Sequence, residues 1–249
     1  MKRAMLWMAA VMLAAGSAGC SPNPPDRPGA GEEAAREWAR PPVIEKVERA
    51  GAGLAVSGVA GAGARVVLRG EDGTAFAATA DSSGRFQIRV PAGAGDLLLH
   101  PETQLGQDSA PSPDRLLVLA GGDGPIVVLR PGGATRRLDA APPLGAIDSD
   151  GRMRLASGRA VAGTESVEVR SGDETVQVAP DAQGRWSVIL PPRSGPDQIR
   201  VAGRDFPWPG DATGSQDLVV ERLEAGWRIR WSGPGGARQT TWLPARADL

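Results

Sequence analysis

The stretch DSSGRFQIRVP (residues 81–91) decides the fold, because DAQGRWSVILP (residues 181–191) repeats it one hundred positions later. In each copy an aspartate stands three residues before a glycine. The carboxylate is placed to accept hydrogen bonds from nearby backbone amides, and Gly84 or Gly184 supplies the positive φ of a tight turn. Strict alternation follows. Phe86, Ile88 and Val90 fall on one face while Arg85, Gln87 and Arg89 fall on the other; Trp186, Val188 and Leu190 repeat the apolar set. Proline closes both runs, since it has no amide to give to a strand ladder. The phrase predicts a short hairpin turn feeding a half-buried strand, and it predicts this twice.

Working outward, the match extends over residues 56–91 and 156–191 with one residue of slip near the middle. Ser57-Gly58 matches Ser157-Gly158, Gly63 matches Gly163, and Gly84-Arg85 matches Gly184-Arg185. Further on, LLLHP (97–101) parallels IRVAG (199–203), and IVVLRPGGATRR (126–137) parallels RIRWSGPGGARQT (228–240). The unit is too long for a solenoid repeat and has the size of one β-sandwich, about 100 residues. Leu54 and Val56, then Val66 and Leu68, alternate with small or polar residues between the turn signals GAG (61–63) and EDG (71–73). Short alternating runs punctuated in this way predict an all-β chain. We therefore expect tandem sandwich domains at 41–141 and 142–249, joined by DAAPPLG (139–145), where two prolines stiffen the link.

Residues 1–20 read differently. Lys2 and Arg3 precede an apolar run too short to span a bilayer, and small residues then lead to Cys20. Residues 21–40 are rich in proline, glycine and charge, which predicts a disordered tether; GEEAAREWAR (31–40) within it has the charge order of a short helix, and ARPP (39–42) would stop it. Cys20 is the sole cysteine, so no disulfide forms within the chain and stability must come from buried apolar surface. The chain beyond residue 20 carries 26 Lys plus Arg (28 − 2) against 29 Asp plus Glu. That near-balance argues against nucleic acid as a partner.

Two resemblances follow from these residues. SAGC (17–20) resembles the bacterial lipobox, although Ser17 stands where leucine, valine or isoleucine is usual. It implies a lipoprotein signal peptide at 1–20 and lipidation of Cys20. With serine at position 21, it implies sorting to the outer membrane. The turn-and-strand phrase resembles bacterial Ig-like and carboxypeptidase-regulatory-like (transthyretin-like) domains, over 54–100 and 155–202. Such domains serve as spacers, adaptors or binding modules, an expectation by analogy.

Little in the sequence points to chemistry. No serine of the mature chain has glycine two before and two after it, so the nucleophile elbow is missing. His100 is the one imidazole and is expected at a strand end, half-buried or at an edge. IDSDGR (147–152) carries Asp148 and Asp150 as a calcium loop does, but without the glutamate such a loop requires, and it reads as a turn. Trp227, Ile229 and Trp231 align with Ile126 and Val128, which favours a core face. RDFPWPGD (204–211) has no aromatic counterpart in the first copy. Its proline-stiffened Phe206 and Trp208 are either a plug for the sandwich end or, with Arg204, anchors for a protein or glycan partner. The expectation is a non-catalytic, lipid-anchored envelope protein acting as a structural or adaptor module, with no cofactor. The alternative is a glycan-binding lipoprotein using the second copy's aromatics.

Overall fold

Period-two runs of apolar residues between turns can be satisfied only by sheets that cover one another's apolar faces, and the computed structural model is built from strands throughout. It describes residues 39–193, 195–214 and 217–245. The expected leader at 1–20, Cys20, and the tether and short helix expected at 21–40 lie outside the described residues, apart from residues 39 and 40. The first copy contributes β1 (Val43–Ala50), β2 (Gly53–Val59), β3 (Arg65–Gly70), β4 (Ala75–Thr79), β5 (Arg85–Pro91), β6 (Leu97–Leu105), β7 (Asp108–Pro111), β8 (Arg115–Val118), β9 (Ile126–Leu129) and β10 (Arg136–Arg137). The second contributes β11 (Leu144–Ser149), β12 (Arg154–Arg159), β13 (Val167–Ser171), β14 (Glu174–Val178), β15 (Arg185–Leu190), β16 (Asp197–Val201), β17 (Arg204–Trp208), β18 (Leu218–Leu223), β19 (Gly226–Ser232) and β20 (Arg238–Pro244).

These strands form four antiparallel sheets. One has the order β1-β2-β5, and a second runs β10-β9-β8-β6-β3-β4 with β7 beside β6. A third runs β15-β12-β11-β20-β19-β18, and the fourth β14-β13-β16-β17. Phe86, Ile88 and Val90 face Val66, Leu68, Leu99 and Leu116 between the first two sheets. Trp186 and Leu190 face Val169, Ile199 and Val201 between the last two. Each copy is thus a sandwich around its own core, and the strand faces read from residues 85–90 and 185–190 are the buried ones.

The repeated turn differs from its sequence reading in one respect. β4 pairs with β3 and β5 pairs with β2, so residues 80–84 carry the chain from one sheet to the other and do not close a hairpin. The turn chemistry is as read. Asp81 Oδ1 accepts the Ser83 and Arg85 amides at 2.8 and 2.9 Å, and Asp181 Oδ1 accepts those of Gln183 and Arg185 at 2.9 and 2.8 Å. Gly84 and Gly184 have φ of 77° and 74°. The repeated Ser-Gly has a separate cause. A Cβ on Gly58 would lie 2.0 Å from the Val43 carbonyl oxygen and 3.0 Å from the Phe86 ring. On Gly158 it would lie 2.0 Å from the Pro143 carbonyl and 2.8 Å from Trp186. Only glycine leaves room there for the aromatic of the phrase and for the neighbouring carbonyl.

After β6 and β16 the copies part. The β8–β9–β10 strands extend the sheet of β6, whereas β18–β19–β20 join the opposite sheet of their sandwich through β20, with Asp148 opposite Thr241. The two enlarged sheets face each other across a third apolar layer. Leu98, Leu117, Leu119, Val127 and Leu129 meet Ala146, Ile229, Trp231 and Leu243 there. The middle sheets are therefore buried on both faces, which is why every residue of β9 and β11 is buried. The contacts gather Trp38–Leu249 into one unit.

Candidate functional site

Polar groups break the apolar seam between the two sandwiches, and the first cluster of them is centred on Asp148. A β-bulge between Leu144 and Ala146 resets the alternation of β11. Leu144 and Ile147 then point into the second core, while Ala146 and Asp148 point at the first copy. From that copy, in the turn before β10, Thr135 gives its amide to Asp148 Oδ2 at 2.7 Å and its hydroxyl to Oδ1 at 2.6 Å. From the strand alongside, the Thr241 hydroxyl gives to Oδ1 at 2.6 Å, and itself accepts from Trp231 Nε1 at 3.0 Å. The Ser157 hydroxyl gives to the Thr135 carbonyl at 3.1 Å. Burial pushes the Asp148 carboxyl up to about 6, and the bonds from Thr135 and Thr241 only partly oppose that rise. Among the causes of the shift there is no cation.

A second polar clasp lies close in sequence. Arg137 and Asp139 form an ion pair at 3.0 Å with both side chains 3% exposed. The Arg137 Nη1 gives to the Pro244 carbonyl at 2.6 Å, and Asp139 Oδ1 accepts the Ile126 amide at 2.9 Å. Arg137, at the end of β10, therefore holds the last strand of the second copy, and Asp139, the first residue of the link, holds the β9 strand of the first. Arg136 gives to the Ile44 carbonyl, back toward β1. Buried groups with partners in this many elements fix one geometry, because any slip leaves a donor or acceptor without its mate.

Asp150 does not join Asp148. Its Oδ1 accepts the amides of Arg152 and Met153, both at 2.8 Å, and these bonds lower its pKa. Only residues 150–153 form the turn expected of 147–152; Asp148, read as part of that turn, lies in β11 and is buried. Among the described residues no three His, Cys, Asp or Glu side chains are grouped to hold a metal ion. His100 is half-buried on β6, and burial lowers its pKa.

Of the two readings of Phe206 and Trp208, plug for the sandwich and anchor for a partner, their burial favours the plug. Residues 204–208 are not a loop but β17, paired with β16 as a sheet edge, with Ile199 opposite Phe206. Phe206 and Trp208 are 6% and 1% exposed and belong to the second core. Alternation accounts for this: Asp205 and Pro207 face out, and an edge strand tolerates a proline. Arg204 is exposed, its guanidinium 5.9 Å from the Phe206 ring centre. A surface that presents these two rings to a protein or glycan is absent from the described residues. The same period-two reading that found residues 85–90 would have found β17. Ile229 and Trp231 take the core face expected, and Trp227 is half-buried beneath Arg222 at 4.6 Å.

The two sandwiches close their ends differently. In the second, Arg154 is fully buried at the start of β12. Its Nε gives to the Pro191 carbonyl at 2.8 Å, Nη1 to Asp197 at 3.0 Å and Nη2 to Ser171 at 3.0 Å. Burial raises Asp197, but the bonds from Arg154 and Ser171 outweigh it and hold the carboxyl below its ordinary value. The equivalents in the first copy are Leu54, Pro91, Leu97 and Gly70, so the fork and its acceptor are missing there. In their place is a cleft of about 340 Å³ lined by Leu54, Phe76, Leu97 and Val118, with Asp72 and Asp96 among its polar residues. No known protein-family model matches the chain, and no curated protein matches it.

Proposed function

We propose that this is a non-catalytic, lipid-anchored protein of the cell envelope, a structural or adaptor module of two Ig-like sandwiches carried on a tether from Cys20. Lipidation of Cys20 in the SAGC sequence and sorting to the outer membrane belong to this reading. The observation that carries it is the seam. Two sandwiches welded through a shared apolar layer, with Asp148 and Arg137 clasped across it, make a body of fixed length and orientation. Rigidity of that kind suits a spacer or a platform for another protein. Independently hinged modules would need a smaller and more polar interface.

Replacement of Cys20 by serine tests the anchor. The variant is expected in the soluble periplasmic fraction, while the unaltered chain stays with outer membrane through a salt wash, since several acyl chains together hold a protein stably. Sedimentation of the variant with outer membrane would refute the anchor. Crosslinking in native membranes, followed by capture of the full chain, tests the adaptor role. A recurring partner at defined crosslink positions supports it, and none at saturating crosslinker refutes it.

A further inference from the structure

The internal repeat lets the second sandwich serve as a template for the first. Position 154 holds an arginine whose stem crosses the sandwich mouth and whose fork ends on a carboxylate, a hydroxyl and a carbonyl. Position 54 holds leucine at the same register, opposite Val90 as Arg154 is opposite Leu190. The first mouth keeps the apolar floor that would take such a stem, in Leu54, Phe76, Leu97 and Val118. It also keeps acidic charge, moved outward to Asp72 and Asp96. Asp96 Oδ1 accepts the Ala120 amide at 2.8 Å, and Asp72 Oδ1 accepts the Thr74 amide and hydroxyl at 3.0 and 2.7 Å. Each carboxylate is thus oriented by its own loop through one oxygen, and the second oxygen of each accepts no hydrogen bond among the described residues. Arg49 is paired with Asp123 and does not line the cleft.

We infer that this mouth is a docking pocket for a basic side chain of a partner protein, taken in as the second sandwich takes in Arg154. An arginine matches both parts of the site, since its methylene stem buries along apolar surface while its planar fork meets carboxylates. The partner is the one an adaptor requires, so the inference rests on that reading for its setting but not for its chemistry.

The test uses the full chain, isotope-labelled, and a blocked Ala-Ala-Arg-Ala-Ala peptide set against the same peptide with neutral citrulline. The arginine peptide is expected to shift the amides of Thr74, Asp96, Ala120 and Gly121 saturably, and the citrulline peptide to do so at least tenfold more weakly. The Asp72→Asn/Asp96→Asn variant, altered only at exposed positions, is expected to lose that preference. Leu54→Arg supplies the plug from within and is expected to abolish binding. Equal response to both peptides, no saturable shift, or full binding by the double asparagine variant would each overturn the inference. Butylguanidinium binding as tightly as the peptide would overturn the protein partner in favour of a small cation. Self-association that Leu54→Arg removes would overturn it in favour of a second copy. If the peptide binds but crosslinking finds no partner, the adaptor reading fails and the pocket stands; the reverse result removes the pocket alone.

Discussion

Replacing Asp148 by asparagine keeps the shape of the side chain and its acceptor for the Thr135 amide, and removes the charge. Unfolding releases Asp148 to its ordinary carboxyl value of 3.8, whereas in the seam burial holds it at about 6. The folded state therefore keeps its proton where the unfolded state has lost it, and stability falls as pH rises from about 3.8 to about 6, then levels. A difference of about two pH units corresponds to about 3 kcal/mol at neutral pH. For a chain of this size that is roughly 10 °C in melting temperature. The side chain is fully buried, so solvent screening does not reduce the figure. Other groups, His100 among them, titrate alike in both proteins and cancel in the difference. Denaturant unfolding of the two proteins from pH 4 to pH 8 reads it directly. Asp148→Asn should gain on the unaltered chain by about 2–3 kcal/mol between those limits, most of the change falling below pH 6.5. A constant offset at all pH values would mean that Asp148 does not titrate with folding, and would refute the reasoning.

Three further outcomes follow from the packing. Calorimetry should record one cooperative transition for the described body, and Trp231→Ala in the seam should lower it by about 3–5 kcal/mol; two well-separated transitions would show that the sandwiches unfold independently. Phe206→Ala with Trp208→Ala should cost at least that much, because both rings lie in the second core; an unchanged melting temperature would return them to the surface. Arg154→Ala should cost about 3–5 kcal/mol by stranding Asp197, whereas Arg154→Leu with Asp197→Leu, which copies positions 54 and 97, should be near neutral. Equal losses from the two in a denaturant titration would count against the buried pair as read.

The strand phrase and its repeat were legible because their causes are local. A carboxylate capping the amides two and four residues ahead, a glycine at positive φ and a period of two are all written within eleven consecutive residues. They determined that the chain is all-β, that there are two sandwiches, and that Phe86, Ile88, Val90, Trp186 and Leu190 face inward. The sequence carries one further signal of burial. The unbroken apolar runs at 116–119 and 126–129 lack a polar face, as strands covered on both sides do. What covers them was not written locally. Sequence periodicity states that a face is apolar, and any apolar layer of suitable shape satisfies it. The pairing of β20 with β11, 93 positions from Asp148 to Thr241, turned the second copy's tail to the opposite sheet from the first. That pairing alone created the seam, buried Asp148 without a cation and gave it partners 13 and 93 residues away. The open mouth likewise exists only by comparison in space, because Leu54 and Arg154 are equivalent through their strand register, and an alignment of apolar positions sees only that one of them is charged.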